Sequence, residues 1–121
     1  MPRKVVTIER SVLARNIYFL LLSKLLPDEK IEVKNLDAED IMIKEGIEGI
    51  DLIILSLRAD ELKNEEKIKS LLNSVKETPH IIIIHKGANL NFDDTGKGRF
   101  ILKRPFFPED FLNIVKELWK I

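Results

Sequence analysis

Ser56, His85, Glu9, Arg10 and Arg104 are the side chains in this sequence best suited to chemistry, and none has neighbours in the chain that would activate it. A serine hydroxyl becomes a useful nucleophile beside a base. Ser56 has none adjacent, so it reads either as a target for a protein kinase or as the small polar end of a buried strand. His85 has the chemistry of a general base, but no nucleophile adjoins it. A single histidine at a strand end more often serves as a surface or hydrogen-bonded residue, and His80, next to Pro79, reads the same way. Two histidines without cysteine, and without acidic residues at ligand spacing, make no metal site. The lack of cysteine also removes disulfides, thiolate zinc sites and cysteine nucleophiles. There is no G-x-G-x-x-G fingerprint, Walker loop or cobalamin-type histidine motif. Arg10 and Arg104 remain as candidate anion ligands, and Glu9 as a lone candidate carboxylate ligand.

The elements that must position these residues come from a chain of 121 residues, enough for one domain with one core. Apolar residues make up 45% and charged residues 33%, which excludes a disordered chain and a membrane-spanning one. Lys plus Arg and Asp plus Glu are 20 each. No global field therefore draws the protein to nucleic acid or anionic lipid, and there is no basic helix to do so locally. Met1-Pro2-Arg3-Lys4 leads into a short strand rather than a signal peptide, and no apolar run is long enough to span a bilayer. The expectation is a cytoplasmic protein. A chain without Gln and rich in Lys, Glu and Ile also resembles proteins from thermophiles.

Five strand candidates alternate with helical patterns. Lys4 to Ile8 is β-branched and apolar, as suits a strand buried on both faces. Ser11 caps a helix running to about Leu26 and closed by Pro27. Ile31 to Leu36 alternates apolar with polar residues, which places it near an edge. A short helix is expected over Ala38 to Glu45, ending at Gly46. Asp51 to Leu57 is a central strand by its apolar run. Asp60 to about Lys76 reads as one helix with an apolar stripe of Leu62, Ile68, Leu71, Leu72 and Val75. Ile81 to Ile84 form the fourth strand and Phe100 to Lys103 the fifth. The last helix starts near Pro108, a favourable first-turn residue, and carries Phe111, Leu112, Val115, Leu118 and Trp119. Strands alternating with helices predict a three-layer, doubly wound α/β domain with a parallel sheet.

Between the fourth and fifth strands the pattern breaks. Lys86 to Arg99 holds Gly87, Asn89, Asn91, Asp93, Asp94, Gly96 and Gly98, a run of turn formers that makes a poor helix. The helix expected there is shortened or replaced by a loop. That is either a simple loss or a binding loop over the carboxyl ends of the strands.

Three segments, in order and at the right spacing, resemble the receiver domain of two-component signalling: Asp51-Leu52-Ile53-Ile54-Leu55, Thr78-Pro79 followed by isoleucines, and Lys103-Arg104-Pro105-Phe106-Phe107-Pro108-Glu109-Asp110. The last is the most specific. The resemblance spans the whole chain and implies the flavodoxin-like strand order 2-1-3-4-5, as a single receiver-like domain with no output domain. It also implies a phosphorylation pocket: an acidic pair after the first strand for magnesium, an aspartate after the third, a hydroxyl after the fourth and a lysine after the fifth. Each offsets or accepts the negative charge of a phosphoryl group.

This chain departs from that pattern at nearly every position. The acidic pair falls on Glu9 and Arg10, and a guanidinium repels magnesium. The aspartate falls on Ser56, which cannot form an acyl phosphate. The hydroxyl falls on Ile84, or on His85 if the strand slips by one. The lysine falls on Arg104, whose charge matches and whose shape does not. The expectation is a degenerate pocket that binds no cofactor or metal, with Glu9, Arg10, Ser56 and Arg104 in one polar cluster and Arg10 in the metal's place. Arg104-Pro105 is expected to be cis if it follows the family.

Aligned to the receiver pattern, the first helix turns Ala14, Ile17, Tyr18, Leu21, Leu22 and Leu25 to the core. Val12, Leu13, Phe19 and Leu20 are then left over, with Leu13 and Leu20 two turns apart on one stripe. Surplus apolar residues on a helix can mark an interface. Phe106, Phe107, Phe111 and Trp119 form a second candidate surface, although aromatics there more often belong to the core. The leading functional expectation is a non-enzymatic pseudo-receiver that binds a signalling or regulatory protein, or a second copy of itself, through Val12, Leu13, Phe19 and Leu20. The alternative is a small anion or nucleotide-binding domain that uses the pocket near Arg10 and Arg104.

Overall fold

Five runs of β-branched and aliphatic residues pair in parallel to make the sheet of this protein, in the order β2-β1-β3-β4-β5. The computed structural model describes residues 3–37, 49–85, 87–88 and 99–121. The strands are β1 (Arg3–Ile8), β2 (Ile31–Asn35), β3 (Leu52–Leu57), β4 (His80–Ile84) and β5 (Arg99–Lys103). Around them lie α1 (Val12–Leu25), α2 (Ala59–Leu62), α3 (Glu65–Val75) and α4 (Pro108–Trp119). The parallel order and three layers are those expected from the sequence, with β2 at an edge. The helix expected at 38–45 lies outside the described residues, as does most of the stretch 86–99.

Strand periodicity divides the core in two. One set of side chains, Val6, Ile8, Ile53, Leu55, Leu57, Ile82 and Ile84, packs on Ile68, Leu71, Leu72 and Val75 of α3. The alternate set, Val5, Leu52, Ile54, Ile81 and Ile83, packs on Ala14, Tyr18 and Leu22 of α1 and on Phe111 and Val115 of α4. Both faces of β3 and β4 are buried, which is why their sequences are almost continuously apolar.

Two expectations are corrected here. The segment expected as one helix over 60–76 is two, because Asn64 caps a new start: its Oδ1 accepts the Lys67 N–H at 3.2 Å, with Glu65 and Glu66 in the first turn. In α1 the fully buried residues are Ala14, Tyr18 and Leu22, while Leu21 and Leu25 are partly buried. Ile17, expected in the core, is 43% exposed. The helix is rotated so that Ile17 faces outward with the surplus residues Val12, Leu13, Phe19 and Leu20, all of which are exposed.

The last helix is fixed at both ends. Pro108 occupies its first turn, and Asp110 Oδ2 accepts the Phe107 N–H at 3.2 Å. At the other end the Trp119 indole N–H donates to the Asp51 carbonyl at 3.0 Å, and the Arg3 guanidinium lies 4.5 Å from the ring centroid. Among the described residues, no helix is long and apolar enough to cross a membrane.

Candidate functional site at the carboxyl ends of the strands

Each strand hands its alternation on to the residue that follows it. On β1, Val5 and Thr7 share the α1 side of the sheet, so Glu9 falls there and Arg10 on the opposite side. On β3, Leu52, Ile54 and Ser56 share that side. On β4, Ile81 and Ile83 do, which places His85 there and Ile84 against α3. On β5, Leu102 packs on the α1 side and Arg104 follows it. Period two therefore gathers Glu9, Ser56, His85 and Arg104 in one place.

Glu9 is held by three surrounding elements. Its backbone N–H donates to Asn35 Oδ1 at 3.1 Å, beside the Thr7 hydroxyl, which donates to the same oxygen at 2.7 Å. Its carboxylate is fully buried. Oε2 accepts the Ser11 N–H at 3.2 Å, and Oε1 accepts the Tyr18 hydroxyl at 2.8 Å. Ser11 in turn caps α1, its Oγ accepting the Ala14 N–H at 3.1 Å. Arg104 Nη2 donates to the Tyr18 hydroxyl at 3.2 Å and lies 3.8 Å from Glu9 Oε1. Burial works to raise the Glu9 pKa, but the hydrogen bonds from Tyr18, Ser11 and Ser56 and the Arg104 charge together hold it below its ordinary value. Burial, and then Glu9, push the Tyr18 hydroxyl up.

Ser56 Oγ and His85 Nε2 are 2.6 Å apart. Burial, followed by the charges of Arg104 and Arg58, keeps the His85 pKa below its ordinary value, which favours the neutral ring. The Ser56 hydroxyl supports the Glu9 carboxylate. The direction of the Ser56–His85 hydrogen bond follows the imidazole tautomer, since a neutral ring donates from one nitrogen and accepts at the other. Ser56 is also 4% exposed, closed to an incoming substrate.

The sequence readings are corrected at Arg10, at Ile84 and His85, and at Tyr18. Arg10 is not in the cluster: its Nη2 donates to Asp60 Oδ2 at 3.0 Å and lies 3.7 Å from Glu61 Oε1, in an exposed ion pair on the far side of the sheet edge. The anion pocket imagined between Arg10 and Arg104 therefore does not form. Ile84 is a core residue, and His85 is the one that reaches Ser56. A partner that sequence adjacency missed thus adjoins His85. Tyr18, read as a plain core residue, supplies the hydroxyl that links Glu9 to Arg104; the signal available was that a buried tyrosine hydroxyl needs a partner. The Arg104-Pro105 bond is cis.

The magnesium implied by the resemblance does not fit these residues. Among the described residues the cluster holds one carboxylate, both its oxygens are engaged, and a guanidinium stands 3.8 Å from it. Among the described residues, no three His, Cys, Asp or Glu side chains are grouped as a metal would need. A groove of about 530 Å³ opens beside the cluster, between α1 and the start of α4, lined by Ile17, Leu21, His85, Arg104, Pro105 and Phe106 among others.

The shifted groups give an acid-labile fold with a defined sign. Because the folded-state pKa of His85 lies below its ordinary 6.5, the unfolded chain takes the proton first, and stability falls as pH drops below that value. Glu9 is depressed from 4.5, so its contribution is present above that pH and is lost as pH falls through the folded value. Urea midpoints from about pH 7.5 to about pH 3 should decline in two stages, with the first stage smaller in His85→Asn. A flat profile over the first stage would contradict the neutral His85 assigned here.

No protein-family model matches the sequence, and no curated protein matches it. Solved structures do. A response regulator CheY-like protein of Mesorhizobium loti has a TM-score of 0.68 at 14% identity, over 98% of this chain and 99% of that one. A response regulator receiver domain protein of Clostridium thermocellum has a TM-score of 0.66 at 15% identity, over 98% and 94%. The chemotaxis protein CheY4 of Vibrio cholerae has a TM-score of 0.64 at 19% identity, over 98% and 99%. At these identities the likeness concerns architecture, and along nearly its whole length this chain has the fold of the response-regulator receiver domains.

Proposed function

We propose that this chain is a receiver-like signalling module that accepts no phosphoryl group and acts, without enzymatic activity, by binding a signalling or regulatory protein. The observation that carries the first half is Ser56. It stands at the end of β3, where the receiver resemblance places the phosphorylated aspartate. There its hydroxyl is buried and tied to His85 and Glu9. A hydroxyl cannot form the acyl phosphate that an aspartate would, and its burial leaves no path for a phosphoryl donor. The remaining pocket is internally satisfied: Tyr18 and Ser11 occupy the Glu9 carboxylate, and Arg104 completes the set.

Support for the second half comes from α1. Leu13, Ile17 and Leu20 follow one another at spacings of four and three along its outer face, with exposures of 70%, 43% and 63%. Val12 and Phe19 extend the patch. Exposed apolar residues grouped on one helix face suit a protein interface better than solvent. A second copy of the chain is one candidate partner.

The test combines acetyl phosphate with magnesium, read by intact mass, and magnesium with beryllofluoride, read by 15N–1H NMR. Neither a mass increase nor saturable shifts at Glu9, Ser56 or Arg104 are expected. Either would overturn the reading of a dead pocket. For the interface, cross-linking of the wild type and of Leu13→Glu/Leu20→Glu in native lysate should reveal a partner lost in the variant. Identical cross-links would remove α1 as the docking face.

A further inference from the structure

We infer that the groove between α1 and the start of α4 binds a small amphiphilic monocarboxylate, an apolar body of alkyl or aryl character with one carboxylate head, and that Arg104 receives the head. The inference does not depend on whether Ser56 takes a phosphoryl group.

The groove, at about 530 Å³, lies in the size range of small-molecule sites. Its walls are apolar: Ile17 and Leu21 come from α1, and Pro105, Phe106 and Pro108 from the segment leading into α4. Phe106 is braced by Phe111, with ring centroids 6.4 Å apart, so that wall is part of the core packing rather than a loose loop. Among the described residues lining the groove, Arg104 is the one that carries a charge, since His85 is held toward its neutral form.

Arg104 also has binding capacity left. Its side chain is 32% exposed, and Glu9 stands 3.8 Å away, beyond hydrogen-bond reach. Nη2 donates to the Tyr18 hydroxyl. A guanidinium presents five N–H donors in a rigid fork, so a second edge can serve a carboxylate entering from the groove. The Glu9–Tyr18 pair holds the fork in place beforehand, which lowers the ordering cost of binding.

The same surroundings select the charge of the ligand. The first turn of α4, which begins at the groove residue Pro108, carries Glu109 and Asp110, and the Phe107 N–H is already taken by Asp110 Oδ2. That helix start therefore offers repulsion rather than donors to a polyanion. One partly committed cation with two acids nearby fits a single negative charge and disfavours a phosphate dianion or a nucleotide.

The experiment is 15N–1H NMR titration of the whole chain with octanoate and with 3-phenylpropanoate. The matched alcohols and inorganic phosphate serve as comparisons. Saturable shifts are expected at Ile17, Leu21, Arg104 and Phe106, with each acid binding at least about ten-fold more tightly than its alcohol. Phosphate is expected to give no saturable shift there. Leu21→Glu, which places a like charge in a partly buried wall position without touching Glu9, should abolish binding, and its own spectrum reports that it is folded. Acids and alcohols that bind alike would overturn the assignment of Arg104. So would saturation by phosphate, shifts confined to other regions, no saturable shift at all, or unchanged binding by folded Leu21→Glu.

Discussion

Glu9→Ala is expected to lower the free energy of unfolding by about 3 kcal/mol, a large share of the roughly 5–15 kcal/mol that holds a domain of this size together. The carboxylate is the common acceptor of a buried network. Without it the buried Tyr18 hydroxyl and the part-buried Ser11 N–H lose their acceptor. Arg104 loses its counter-charge. A buried donor left unmatched costs about 1–3 kcal/mol, and several share one network, so the total falls short of their sum. Glu9→Gln separates charge from shape. The amide keeps one acceptor for Tyr18 but turns a donor toward Ser11 or Ser56, and a cost of about 1–2 kcal/mol is expected. Urea denaturation of both variants at neutral pH measures the difference. A loss below about 1 kcal/mol for Glu9→Ala would mean that the network is hydrated and that the pocket is not closed as described.

The sheet and most of the helices were legible because they rest on the strongest local signals. Apolar runs bounded by Pro, Ser and Gly marked β1, β3, β4, α1 and α4, and the capping residues Ser11 and Pro108 stand where the sequence put them. The break between α2 and α3 carried a legible signal as well, an Asn followed by two Glu, but the continuous apolar stripe masked it. The site was legible in part. Glu9, Ser56, His85 and Arg104 do meet, whereas Arg10 and Ile84 do not join them. Strand alternation already separates Glu9 from Arg10 and His85 from Ile84, so that part of the error was avoidable from sequence. The Ser56–His85 contact was a different matter, because it joins two strands whose register is not written in either. Asp60 as the partner of Arg10 was equally hidden, since it lies 50 residues away in the chain and follows the neighbouring strand. Ile17 is exposed while Tyr18 turns inward to Glu9, a contact that the apolar pattern of the helix does not encode.

The aromatic residues around α4 give the other large expected effect, and they make a controlled comparison. Phe111→Ala should cost about 3–5 kcal/mol, while Phe107→Ala, four residues earlier, should change stability by no more than about 0.5 kcal/mol. Phe111 is fully buried and Phe107 is 75% exposed. Truncating Phe111 removes its contacts and leaves a cavity between α1, α4 and the sheet that the rigid β-strands cannot collapse to fill. It also removes the ring on which Tyr18 stacks, at a centroid separation of 5.6 Å. The loss therefore reaches the site: with Tyr18 free to shift, the hydroxyl that joins Glu9 to Arg104 is no longer held, and the Arg104 side-chain NMR signal should broaden or move. Urea midpoints of the two variants, with that signal followed in Phe111→Ala, provide the measurement. Equal stability losses would place Phe111 outside the core. A large loss with an unchanged Arg104 signal would show instead that the polar cluster holds Tyr18 without help from the aromatic stack.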